Sequence, residues 1–291
     1  MDRKPLAMLA AVSLAIACRA QPPPPAAPAA TRIAALSPAS AEILCAVGCC
    51  AKIVVRSNWA DYPAEVLRAP THDGLYPSAE ALLLFRPDLV VLNYPPPVLQ
   101  TALHAAHIRW LDQSPRTVAE IADNMLILGQ ACGEPRKATV QADEFLARIR
   151  AAGNRQPPRY PVKVFVELDA GDGRRPFTIG NASFVDDVVR LAGGKNVFGA
   201  RDEAFFTVDI EALLAADPDV IVLGDADVNT NPQSLSTLRG RPGFPALRAI
   251  AAGAVVTVPG SWFSRPGPRV ALAVTALGDA LAGLNKGDRK P

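Results

Sequence analysis

Aromatic residues are scarce in this sequence: three Trp, four Tyr and ten Phe among 291 residues. Histidine is rarer, at three, too few for the clustered His and acidic ligands of a zinc or manganese site. His104 and His107, three apart on a predicted helix, read as a solvated face. Neither sign of charge dominates, with 30 Lys+Arg against 28 Asp+Glu, and no long basic run exists, so no nucleic-acid partner is indicated. The sequence has no G-x-S-x-G, no H-E-x-x-H and no G-x-x-x-x-G-K-[ST]. Gly171-x-Gly173 lacks a third glycine, and Arg174-Arg175-Pro176 stands where a helix would start. An acidic set at Asp169, Asp172, Asp225 and Asp227 is the one enzyme-like feature. After residue 30, Pro and charges interrupt every apolar run before it could span a bilayer. Proline, by contrast, is abundant, at 28 residues. Hydrophobic residues make up 49% and charged residues 20%, enough to bury one large or two mid-sized cores.

The first 30 residues read as an address. Arg3 and Lys4 precede an apolar run from Leu6 to Ala17, too short for a membrane span and suited to a signal peptide over residues 1–17. Ala15-Ile16-Ala17-Cys18 is similar to a bacterial lipobox, which implies a lipid on Cys18; an ordinary secretory cleavage is the alternative. Residues 18–30 form a Pro/Ala-rich tether, a semi-rigid spacer that would hold a domain off a membrane. Export implies an oxidising compartment. A vicinal Cys49–Cys50 bond would be strained; two expectations stand, a disulfide from Cys49 or Cys50 to Cys132 and free thiols buried as small hydrophobes.

The chain repeats itself. SAEALLLFRPDLVVL (78–92) and DIEALLAADPDVIVL (209–223) share eight of fifteen positions at an offset of 131. Each opens on a helix-capping residue, Ser78 or Asp209, and carries a glutamate two places on, Glu80 or Glu211. Each then breaks at Pro-Asp and runs into an apolar strand without polar alternation, the pattern of a parallel sheet covered on both faces. The reading is α/β: two βα-alternating lobes with parallel sheets, at 31–133 and 154–291, joined by one long helix at 134–153. Helices are expected near 38–47, 97–106, 116–131, 182–192, 234–250 and 267–284. A single stiff linker helix predicts a small hinge motion rather than a wide clamshell.

In open α/β sheets ligands sit beyond the carboxyl ends of the strands. Trp59, Tyr62, His72, Asn93, Tyr94, Phe205, Phe206, Trp262 and Phe263 all fall in predicted post-strand loops. So many exposed loop aromatics point to a ligand surface, and their faces suit a flat conjugated macrocycle.

Several segments carry a resemblance. IAALSPASAEILCAVG, with Ser37-Pro38 as cap and first helical residue, resembles the first strand and helix of the helical-backbone (class III) periplasmic substrate-binding proteins, which serve ABC importers of cobalamin, heme and ferric siderophores. AGGKNVF (192–198) matches a family A-G-G-x-N-V-F stretch. SNWADYP (57–63) and GSWFSRPGPRVALA (260–273) resemble segments of the cobalamin-binding branch. The resemblance covers about residues 31–285. It implies a periplasmic or envelope protein, not an enzyme and needing no cofactor, that captures a corrinoid and hands it to a permease–ATPase complex in the inner membrane. Trp59 falls on a tyrosine of that cleft, Phe205 near a tryptophan, and Trp262, Phe263 and Arg265 on a W-F-x-R motif; Tyr62, His72, Tyr94 and Phe206 complete the expected ligand set. His72 stands where the branch has a cleft Trp, and Asn93 where it has another aromatic. The heme branch has a Tyr ligand seven residues before the equivalent of Glu80; here that residue is Asp73. By the same resemblance Glu80 and Glu211, one per lobe, engage arginines of the permease.

Overall fold

The structure, a computed structural model, describes residues 28–74, 77–153, 162–225, 227–228 and 233–284. The expected signal peptide, Cys18 and most of the tether lie outside the described residues.

A first sheet holds β1 (Ile33–Ala35), β2 (Ile53–Ser57), β3 (Thr71–His72), β4 (Leu89–Leu92) and β5 (Arg109–Asp112), all parallel, in the order β3-β2-β1-β4-β5. A second holds β6 (Val162–Glu167), β8 (Gly194–Asn196), β10 (Val220–Leu223) and β11 (Val255–Thr257), also parallel, in the order β11-β10-β6-β8; β7 (Phe177–Ile179) and β9 (Phe205–Thr207) form an antiparallel pair beside it. In the first lobe the helices are α1 (Pro38–Ala46), α2 (Ala79–Leu83), α3 (Pro97–Ala105) and α4 (Val118–Cys132), followed by the connecting α5 (Pro135–Gly153). The second lobe holds α6 (Phe184–Leu191), α7 (Ile210–Ala216), α8 (Leu235–Arg239), α9 (Arg248–Ala251), α10 (Gly260–Phe263) and α11 (Val270–Leu284).

The unalternating strands are buried on both faces, as their composition requires. In β4, Leu89 and Val91 face one core while Val90 and Leu92 face another shared with Leu99 and Leu103 of α3. The first of these cores is continuous across the chain, running from Ile33 through Phe145 of α5 to Val164 and Leu277. The two lobes are therefore fused along a helical back.

The sequence echo has a local cause. Ser78 Oγ accepts from the Ala81 N–H at 3.3 Å and Asp209 Oδ1 from the Ala212 N–H at 2.8 Å, each capping its helix. The Asp of each Pro-Asp break then ties neighbouring strands together. Asp88 accepts from the Thr31 and Arg32 N–H groups at 2.8 and 3.1 Å, and Asp219 from the Lys163 N–H at 2.9 Å. Burial works against ionisation of Asp88, but these bonds outweigh it and hold its carboxyl below the ordinary range.

One expectation is corrected and one element is new. The helix expected over 234–250 is broken into α8, a 3-10 turn at Phe244–Ala246 and α9, because Pro242, Gly243 and Pro245 interrupt the ladder, Gly243 at φ +81. The antiparallel β7–β9 pair has no counterpart in the sequence reading, since three-residue strands carry too little periodicity. Cys49 is bonded to Cys132, and a second bridge, Cys45–Cys50, ties the end of α1 to the turn after it.

Candidate functional site

The parallel strands of both sheets aim their carboxyl ends at a cavity of about 420 Å³ between the lobes. Lobe one supplies Ser37, Trp59, Gly74, Asn93 and Tyr94 to its wall, and lobe two Val228, Ser264, Arg265 and Pro266.

Trp59 is half-exposed on a loop that is rigid from beneath. Its N–H donates to Ser57 Oγ at 3.2 Å, and Arg56 Nη1 donates to the Ala60 carbonyl at 2.7 Å and the Ser57 carbonyl at 3.2 Å. Tyr94 sits in left-handed backbone at φ +52, a conformation a bulky residue adopts only when its surroundings impose it. The imposing contact is its N–H donating to Ser114 Oγ at 2.5 Å. Its phenol is pushed up to about 12 by burial and by the Asp112 charge, so it stays protonated across the neutral range. The ring meets Phe205 of lobe two edge-on at 5.7 Å, and Phe205 in turn stacks on Phe177 at 5.9 Å.

Asn93, standing where the resembling branch has an aromatic, is a structural tie. Ser37 Oγ donates to its Oδ1 at 2.5 Å, and its amide donates to the Gln113 carbonyl. It thereby joins the cap of α1 to the ends of β4 and β5.

Arg265 reaches across to lobe one, its Nη1 2.6 Å from Asp61 Oδ1. Behind it, Arg269 Nε and Nη2 donate to Glu42 at 3.0 and 2.5 Å. Glu42 lies buried on α1; burial pushes its carboxyl up, and the guanidinium holds it back. Tyr62 stacks over the Arg269 guanidinium at 4.3 Å and faces a separate hollow of about 560 Å³, not the cavity.

Of the loop residues singled out in the sequence, Trp59, Asn93, Tyr94 and Arg265 lie on the cavity wall, with Phe205 against Tyr94. The others do not. His72 ends β3, its Nδ1 2.9 Å from the Asp73 carbonyl, while Gly74 lines the wall in its stead. Phe206 is buried, with the Arg201 guanidinium 4.8 Å over its ring. Phe263 is wholly buried: the single turn of α10 directs it inward against Gly224, where a Cβ would come within 2.6 Å of the ring. Trp262 is partly buried against the same core. A loop assignment from sequence gives no side-chain direction, and a four-residue helix turns it by about 100° from one residue to the next. The cross-lobe carboxylates Asp61 and Glu42 were missed. The signal for Glu42 was present: a lone acid in the apolar run PASAEILCA demands a buried partner.

Away from the cavity, Glu80 and Glu211 are both exposed in the first turns of α2 and α7. Hydrogen bonds from its own N–H and from Ser78 Oγ hold the Glu80 carboxyl below its ordinary range. Among the described residues no group of three or more His, Cys, Asp and Glu is placed to hold a metal ion, and no helix is long and apolar enough to cross a membrane.

Comparison with known proteins agrees with this architecture. The family described as periplasmic binding protein matches residues 33–261. The vitamin B12-binding protein of Vibrio cholerae serotype O1 is 27% identical over 252 residues, covering 84% of this chain and 87% of its own length. The crystal structure of the periplasmic vitamin B12 binding protein BtuF of Vibrio cholerae is similar with a TM-score of 0.76 at 24% identity, over 89% of this chain and 99% of that one. A periplasmic heme-binding protein solved with two hemes gives 0.74 at 26% identity, over 86% and 98%. With two parallel-sheet lobes around a cavity and a family match across most of its length, the chain belongs to the periplasmic binding protein family.

Proposed function

We propose that this protein captures a corrinoid of the cobalamin type between its lobes and delivers it to an ABC importer of the inner membrane, performing no chemistry on it. The observation that carries the reading is the wall made by Trp59 and Tyr94 facing Arg265: aromatic faces for a flat macrocycle, with one cation for its polar periphery. Relatives named for vitamin B12 support it. A corrinoid with its nucleotide arm is larger than 420 Å³, so loading requires the Tyr94–Phe205 and Asp61–Arg265 contacts to part.

The second reading is heme, favoured by the similarity to a heme-binding structure. The cavity argues against it. Its only tyrosine among the described residues, Tyr94, meets the ring of Phe205 edge-on, and His72 is off the wall. A ferric siderophore would meet one arginine there and little further positive charge. In this reading Glu80 and Glu211 dock on permease arginines, one per lobe, and a lipid on Cys18 with the Pro/Ala-rich tether holds the exported protein at the membrane. Calorimetric titration with cyanocobalamin, hemin and a ferric hydroxamate tests the ligand. Saturable 1:1 binding is expected for cyanocobalamin, at least tenfold tighter than for the others, a difference of about 1.4 kcal/mol. Tighter binding of hemin would replace the reading.

A further inference from the structure

Arg265-Pro266-Gly267-Pro268-Arg269 is a strap fastened to lobe one at both ends, and the two fastenings differ in kind. At one end Arg265, its side chain 10% exposed, meets Asp61 through Nη1 at 2.6 Å and Nη2 at 3.4 Å, and the Asp61 side chain is 65% exposed, so water reaches the carboxylate of this pair. At the other, Arg269 grips Glu42 with two nitrogens, the Glu42 side chain 2% exposed and Tyr62 lying over the guanidinium. The strap packs tightly there: a Cβ on Gly267 would stand 3.1 Å from Glu42 Oε2. Prolines on either side of the glycine restrict its backbone. A pair whose carboxylate is exposed can exchange it for water or an incoming group. A pair whose carboxylate is buried cannot part without leaving a desolvated charge alone.

We propose that Glu42 and Arg269 are positioning residues: they hold the strap on lobe one whether or not a ligand is bound, set the spacing of the lobes, and leave Arg265 as the end that releases Asp61 when a ligand enters. Opening then pivots on the Glu42 side and is widest where Tyr94 meets Phe205. The linker helix alone does not supply this constraint, since α5 ties the lobes only along the back. The inference goes beyond the ligand assignment, because lobe spacing in the unliganded protein does not depend on what the ligand is.

The test is the distance distribution between spin labels on cysteines introduced at Thr101 and Ser236, exposed residues of α3 and α8, in the Cys18→Ala chain without ligand. The wild-type strap should give a narrow distribution. Arg269→Met should broaden it towards longer distances, and so should Glu42→Leu/Arg269→Met, which removes both charges and stays folded where a lone Glu42 prevents folding. Asp61→Asn should keep the wild-type width. Cyanocobalamin should leave the two clasp variants about tenfold faster, since such changes act mainly on dissociation. A wild-type distribution in the double variant would overturn the proposal, as would equal broadening by Asp61→Asn. If the wild-type protein takes up no cyanocobalamin, the ligand assignment fails while the distances still decide the strap.

Discussion

The two lobes are built from one echoed pattern, yet they divide the work differently. In both, a capped helix, a Pro-Asp break and an apolar strand recur at an offset of 131, and the Asp of each break performs the same strand-tying duty. Lobe one turns its aromatics outward: Trp59 and Tyr94 are about half-exposed on the cavity wall. Lobe two turns its own inward, with Phe206 and Phe263 buried, and contributes the arginine. Their interiors are fastened differently too. Lobe one carries both disulfides, and lobe two a buried ion pair, Arg241 to Glu167 at 2.6 and 2.8 Å. A repeat thus conserves what backbone geometry needs and leaves side-chain direction free for the site.

The fastenings provide the largest expected effects. Cys49–Cys132 closes a loop of 83 residues and Cys45–Cys50 one of 5. Loop-closure entropy gives roughly 4–5 kcal/mol for the long bridge and roughly 2 kcal/mol for the short one. Urea unfolding of Cys49→Ala/Cys132→Ala should show the larger loss, and equal losses would mean that native-state contacts rather than loop length decide.

In lobe two, Arg241→Met should cost about 3–5 kcal/mol by leaving Glu167 buried and alone, whereas Glu167→Leu/Arg241→Met should fall well short of that. The pair has a pH signature. Burial holds the Glu167 carboxyl above its ordinary value in spite of Arg241. The folded state therefore binds this proton more tightly than the unfolded chain, and stability from this group is present below pH 4.5 and lost as pH rises through the raised value. Arg241→Met should raise the folded value further and carry that loss to higher pH. Unfolding followed between pH 4 and 7 should show it; an unchanged slope would contradict the sign.

Binding should separate the lobes next. Trp59→Ala should weaken cobalamin binding by about 1–3 kcal/mol, the scale of an aromatic contact. Trp262→Ala, removing a ring packed on the core, should lower stability and leave affinity near wild type. The reverse result would put the second lobe's tryptophan in the site. The smallest effect on affinity is expected from Glu80→Ala/Glu211→Ala: the ligand titration should be unchanged while reconstituted uptake falls, and uptake equal to wild type would remove the docking role.

Much of this fold was legible in the sequence because it rests on backbone rules. Proline breaks, helix caps and unalternating apolar strands located α2, α7, β4 and β10 and gave the two-lobed plan. The site was legible only as loops. Trp59, Tyr94 and Arg265 reach the cavity because neighbours aim them: Arg56 under Trp59, Ser114 beneath Tyr94, Asp61 opposite Arg265. Ser114 and Asp61 stand 20 and 204 residues from the side chains they aim, so local spacing does not write them. Tyr62, Phe206 and Phe263 point elsewhere for the same kind of reason, the first because Arg269 offers its guanidinium and the last because Gly224 leaves it room.

The most direct test of a corrinoid between these lobes is a crystal structure of the protein grown with cyanocobalamin. The account predicts the corrin ring against Trp59 and Tyr94, its polar edge on Arg265 freed from Asp61, and the Glu42–Arg269 pair intact. A saturated crystal with the cavity still closed by Tyr94 and Phe205, or with the macrocycle held on any other surface, would contradict it.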